Sequence, residues 1–171
     1  MMWHFTGKGD AGETDLFDGN RVKKDDPVLE YIGAIDEINS FIGLARSYTT
    51  DTHLKNDLRF LQNSLSKLMG KIAGAEEQSL FDFDLGGLVD WLESKIRQYS
   101  RDIINPREFT YPGKTKDGAA FDICRTVARR AERIGVNLFS ERNGFDNRIL
   151  IVSNRLSSLF YMLRLYSDNR D

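Results

Sequence analysis

Five stretches of this chain repeat apolar residues at steps of three and four, and no proline falls inside any of them. That period is the signature of amphipathic helices. Val28, Ile32, Ile35, Ile38, Ile42 and Ala45 form the first stripe, which opens after Asp25-Asp26 with Pro27 at the first helical position. Leu54, Leu58, Leu61, Leu65, Leu68 and Ile72 form the second, from about Thr52 to Ala73. Asp84 opens a shorter third helix to about Arg101, which carries Leu88, Trp91, Leu92 and Ile96. A fourth covers about Ala119 to Ser140, and a fifth about Asn147 to Ser167, with Arg142-Asn143-Gly144 turning between them. Ile104 to Gly118 holds Pro106 and Pro112 and breaks the pattern. The first twenty-odd residues, rich in Gly, Asp and Thr, read as a glycine-rich loop segment with no strand signal. Short connections between amphipathic helices predict an all-α fold, a five-helix bundle in one domain over residues 1–171.

Composition narrows the partners. A net charge of −2 gives no general attraction to nucleic acid or to an anionic membrane. Cys124 is the only cysteine, so no internal disulfide forms, as in a reducing, cytoplasmic compartment. His4 and His53 lie far apart, which argues against a zinc site. No apolar run reaches transmembrane length, and MMWHFTG has no signal-peptide pattern.

Three places carry groups suited to chemistry. Near the N-terminus, FTGKGDAGET packs glycines, a lysine and hydroxyls as phosphate loops do, yet it matches neither G-x-x-x-x-G-K-[ST] nor G-x-G-x-x-G. In the fourth helix Arg125, Arg129, Glu132 and Arg133 share one face, beside an apolar stripe of Ile123, Val127, Ile134 and Leu138. Three guanidiniums on one stripe suit a polyphosphate, because each fork binds oxygens bidentately and keeps its charge. A solvated face braced by pairs such as Arg129–Glu132 is the commoner outcome of this pattern, and a nucleic-acid helix is a third reading. In the first helix Asp36 and Asn39 border the apolar stripe, where a buried carboxylate needs a partner such as arginine. Asn154 in the last helix suits a ligand hydroxyl or a neighbouring helix, and Lys24 a phosphate or plain solvent.

The order of these segments resembles the ATP:cob(I)alamin adenosyltransferases of the helical-bundle, PduO type. FTGKGDAGETDLFDGNRVKKDD, YIGAIDEINSFIGLAR, FTYPG, ICRTVARRAER and SNRLSSLFYMLRL occur in that family's order and spacing. The resemblance implies a homotrimer with active sites between subunits. It implies transfer of the 5′-deoxyadenosyl group of ATP to the cobalt of cob(I)alamin, with release of triphosphate. Thr6, Gly7, Lys8, Gly9, Thr14, Asp15 and Lys24 then belong to the ATP site, with Arg129, Arg130, Glu132, Arg133 and Asn154. Arg129 also acts in catalysis, Asp36 and Arg125 match a salt bridge across the subunit interface, and Phe109 matches an aromatic beside the corrin. Magnesium is implied on the ATP phosphates, with no metal ligand from the protein. A cobalamin reductase and an adenosylcobalamin-dependent enzyme are the candidate partners.

The sequence also departs from the family. Gly7 and Lys8 stand where a basic residue and a threonine are usual, Ser158 where an aspartate is common, and Lys114 in place of a glycine. These departures keep open a non-catalytic carrier that binds ATP or adenosylcobalamin, and an ATP-sensing or structural trimer.

Overall fold

The first helix begins where the sequence predicts because two caps act together. Asp26 accepts a 2.9 Å hydrogen bond from the Val28 amide, and Pro27 fills the first position, where an N–H would have no helical partner. The computed structural model describes residues 7–75, 83–101, 103 and 108–170; Thr6 and Pro106 lie outside them. Its elements are β1 (Glu13–Asp15), β2 (Arg21–Lys23), α1 (Pro27–Tyr48), α2 (Thr52–Ile72), α3 (Leu85–Ser100), α4 (Lys116–Glu141) and α5 (Arg148–Asp168). The five-helix, all-α architecture is as expected. Asp51 caps α2 through the His53 and Leu54 amides. Thr115 caps α4 through Gly118, so α4 starts at Lys116 rather than Ala119.

Cross-links fix the helix directions. On α1 and α4, Asp26 meets Arg142, Tyr31 lies against Gly135 and Glu37 meets Arg130, an antiparallel pair. The Tyr31 hydroxyl shares a 2.7 Å hydrogen bond with Ser153 near the start of both helices, and Tyr166 near the end of α5 donates to Asp51 just past α1, so α5 runs parallel to α1. Gln62 on α2 donates to the Asn39 carbonyl at 3.1 Å, and Tyr99 on α3 donates to Asp57 at 2.8 Å. The core they enclose includes Tyr31, Ile38, Leu61, Leu92, Phe121 and Phe160, all fully buried.

Two expectations are corrected. The N-terminal segment is not all loop: β1 and β2 pair antiparallel, with Glu13 opposite Lys23 and Asp15 opposite Arg21. Three-residue strands are too short to show alternation in sequence. The α4 stripe holds only in part. Val127 and Leu138 are buried and Ile134 packs against the core, but Ile123 is 40% exposed, and the core face is completed by Ala120, Phe121, Cys124, Ala128, Ala131 and Gly135. Small side chains there let α1 and α5 approach closely. A methyl group at Gly135 would lie 2.9 Å from the Tyr31 ring, which is fully buried and has nowhere to go. Gly135→Ala is therefore expected to destabilise the fold by about 1–3 kcal/mol through overpacking, read in urea unfolding.

Candidate functional site

The N-terminal loop is built around Arg21. Its Nε donates to Glu13 and its Nη1 to Asp15, both at 2.9 Å, and its Nη2 to the Lys8 carbonyl at 2.8 Å. One guanidinium thus ties the hairpin strands together and pins the loop over them. Gly7 and Gly12 turn the chain at φ +70° and +83°, a region that glycine enters without strain. Lys24 and Gly9 come together: a methyl at position 9 would stand 3.1 Å from Lys24 Nζ. Glycine there lets the ammonium lie against the loop backbone. Lys8 itself is exposed, Thr14 is half-buried and Asp15 is spent on Arg21.

The arginines of α4 divide by partner. Arg130 pairs with Glu37 of α1. Glu132 accepts from Asn154 Nδ2 at 2.8 Å, and Arg155 donates to Asn154 Oδ1 at 2.7 Å while holding Glu93. The expected Arg129–Glu132 brace does not form, because Asn154 takes that carboxylate. Arg129 and Arg133 are exposed, and among the described residues neither pairs with a carboxylate. Arg133 bonds the Arg129 carbonyl at 3.1 Å.

Asp36 and Arg125 are not joined within the chain. Asp36 is exposed, and it is Asn39 whose Oδ1 is buried without a hydrogen-bond partner. Arg125 forks onto Asp122 through Nε at 2.9 Å and Nη2 at 3.3 Å, which leaves its Nη1 edge unspent on Asp122.

Residues the sequence reading missed hold the Phe109 segment. Arg164, 5% exposed at its side chain, donates through Nη2 to the Thr110 carbonyl and hydroxyl, each at 2.9 Å. Its Nη1 lies 3.7 Å from Asp122 and its Nε 3.4 Å from Asp168. Asp168 Oδ1 accepts from the Thr115 amide and hydroxyl, and its carbonyl accepts from Lys114 Nζ. Lys114, a departure from the family pattern, is thus a tether. Above these anchors Phe109 and Tyr111 are 81% and 82% exposed and meet edge to face at 5.2 Å. The one available signal was an arginine inside the apolar run Met162 to Tyr166.

The chain offers no thiolate: burial pushes the Cys124 thiol up to about 12. Among the described residues no three His, Cys, Asp or Glu side chains group as metal ligands. No helix there is long and apolar enough to cross a membrane.

The loop and the α4 arginines sit at different heights. Arg142, 2.9 Å from Asp26, marks the hairpin end of α4, and Arg129 lies thirteen residues, about 20 Å, along the helix from it. The Arg142 hydrogen bond holds the Asp26 carboxyl below its usual range, outweighing the opposing effect of burial. Unfolded, that carboxyl titrates near about 4. Its contribution is therefore complete above that pH and lost as pH falls through the lower folded value. Asp26→Asn keeps a capping side chain but removes the charge. It is expected to destabilise at pH 7 and to converge on the parent in acid, read as urea midpoints across pH; a pH-independent difference would contradict the pairing.

The sequence matches the family model for cobalamin adenosyltransferase over residues 4–167. It is 37% identical to the cobalamin adenosyltransferase of Cupriavidus metallidurans over 164 residues, 92% of this chain and 84% of that one. It is 35% identical to the corrinoid adenosyltransferase of Bacillus subtilis, over 92% of this chain and 82% of that one. Among solved structures, a phenylalanine-to-alanine variant of the PduO-type ATP:corrinoid adenosyltransferase of Lactobacillus reuteri, complexed with cobalamin and ATP, superposes with a TM-score of 0.86 at 31% identity. That match covers 96% of this chain and 93% of that one. An arginine-to-lysine variant of that enzyme, complexed with ATP, gives 0.85 at 32% identity, over 97% and 94%. With the match running through the loop, the arginine helix and the Asn154 helix alike, this chain belongs to the cobalamin adenosyltransferase family.

Proposed function

We propose that this chain transfers the 5′-deoxyadenosyl group of ATP to the cobalt of cob(I)alamin, giving adenosylcobalamin and triphosphate. The observation that carries the reading is the exposed Arg129, free of any carboxylate among the described residues, on a chain of this family. Cob(I)alamin is the nucleophile, so the buried, protonated Cys124 is no obstacle. The cobalt electron pair forms the cobalt–carbon bond at C5′ as the C5′–oxygen bond breaks, and triphosphate leaves with that pair. Charge grows on the leaving group, where Arg129, Arg133, Lys24 and the loop amides are suited to meet it. Asn154, held by Glu132 and Arg155, is suited to orient the nucleoside. Phe109 offers the corrin an apolar face, and Arg164 keeps its segment in place. A magnesium ion carried on the nucleotide goes with this reading; bound there, it would offset the charge of the phosphates.

The site is proposed to form between subunits of a homotrimer. The roughly 20 Å between the loop end and Arg129 supports this, as does the open Nη1 edge of Arg125 for Asp36 of another copy. One domain and a cytoplasmic setting go with this reading, as do a reductase that supplies the corrinoid and an enzyme that takes the product.

Anaerobic incubation with ATP, Mg²⁺ and chemically reduced cobalamin is expected to give light-sensitive adenosylcobalamin and triphosphate. Corrinoid binding without turnover would favour the carrier role instead. Arg129→Ala is expected to lower kcat by about 10²-fold, the scale of losing one preorganised donor to a leaving oxyanion. Asp36→Ala leaves Arg125 one carboxylate short and is expected to weaken the trimer, read by light scattering on a sizing column. An unaltered trimer with unaltered corrinoid affinity would refute that role.

A further inference from the structure

At the bundle end remote from the hairpin, a cavity of about 370 Å³ opens where α1 and α5 finish and α4 begins. Its lining includes Thr49, Thr50, Lys116, Asp117, Ser167 and Arg170. Along α4, Lys116 at its rim stands thirteen residues, about 20 Å, from Arg129, so it is separate from the proposed triphosphate position.

Two independent features of this cavity point to a ligand. The first is the start of α4. Thr115 satisfies the Gly118 amide with its hydroxyl and the Ala119 amide with its carbonyl. The Lys116 and Asp117 amides find no acceptor among the described residues. The second is Ser167, which is 3% exposed and whose hydroxyl is buried with no hydrogen-bond partner, although it lines a polar cavity. A buried hydroxyl left unbonded is destabilising, and a ligand oxygen would relieve that cost.

The charged groups around it are biased the same way. Asp51 already accepts from Tyr166 and Arg170, Asp168 from Thr115, and Asp117 from the Gly118 amide. Lys116 has no carboxylate partner among the described residues, and Arg170 lies over the Tyr166 ring. Thr49 accepts from the Asp51 amide through its oxygen, which leaves its proton to give. Apart from the second oxygen of Asp117, the groups still uncommitted are donors.

We propose that this cavity binds a tetrahedral phosphate oxyanion, held by the first amides of α4, the Ser167 hydroxyl and the Lys116 ammonium. Thr115, which caps the site, is six residues from Phe109, a span of about 20 Å at most. On the adenosyltransferase reading two sources share this chemistry: free phosphate, and the phosphodiester in the nucleotide tail of a complete corrinoid.

The test needs neither ATP nor turnover, so it fails or succeeds apart from the reaction proposed above. The full chain is titrated with inorganic phosphate at constant ionic strength while backbone amide resonances are followed by NMR. Saturable shifts are expected at Lys116, Asp117 and Ser167, and Ser167→Ala or Lys116→Ala is expected to weaken them by about tenfold, equivalent to 1.4 kcal/mol. Lys116 is exposed, so its variant tests the site without disturbing the core. Shifts that do not saturate, or variants that titrate like the parent, would overturn the proposal. Displacement of phosphate by cobalamin but not by cobinamide, which lacks the nucleotide tail, identifies the phosphodiester; displacement by neither identifies free phosphate. Equal displacement by both would show that the corrin ring fills the cavity, and would also overturn it.

Discussion

A guanidinium taken almost wholly out of water needs carboxylates and acceptors close around it, and in this chain that group is Arg164, whose Nη2 is hydrogen-bonded while its buried Nε is held by charge alone. It bonds Thr110 and lies between Asp122 and Asp168. Through those partners it fixes three things at once: the segment that presents Phe109, the carboxylate that steadies Arg125, and the first turn of α4. Gly118 belongs to the same constraint, since a methyl there would stand 2.4 Å from the Asp168 carboxylate. The two exposed aromatics are consequently held by a buried polar network rather than by apolar packing.

The second constraint is the close approach of α1, α4 and α5. Small residues on α4 admit Tyr31 to the core, where its hydroxyl meets Ser153. That approach sets the antiparallel register in which Asp26 faces Arg142 and Glu37 faces Arg130. The register in turn puts the hairpin end of α4 about 20 Å from Arg129. The proposed trimer would answer this separation by bringing one copy's loop to another's α4, and Arg21 is the group that holds the loop in shape.

The five helices were legible because each carries its own apolar period, and Pro27 and Asp84 mark where two of them start. The hairpin was not, because Arg21 closes it through contacts eight and six residues away that no local pattern encodes. The α4 core face was misread through Ile123: size in the sequence suggested burial, whereas the close helix contact requires alanine, cysteine and glycine. The order of the loop, arginine and asparagine segments identified the residues of the candidate site. Which of them are already committed was invisible there, as Glu132 on Asn154 and Arg130 on Glu37 show.

By itself the sequence determined a helical bundle, the family and the residue types suited to a polyphosphate, since periodicity and motif order are properties of the chain in one dimension. Only the tertiary structure decided which arginines remain unpaired, that Arg164 anchors the Phe109 segment, and that Lys114 serves as a tether rather than a gap in the family pattern. The reason is physical: an ion pair or a buried hydrogen bond depends on distance and exclusion of water, and both arise only when the helices pack.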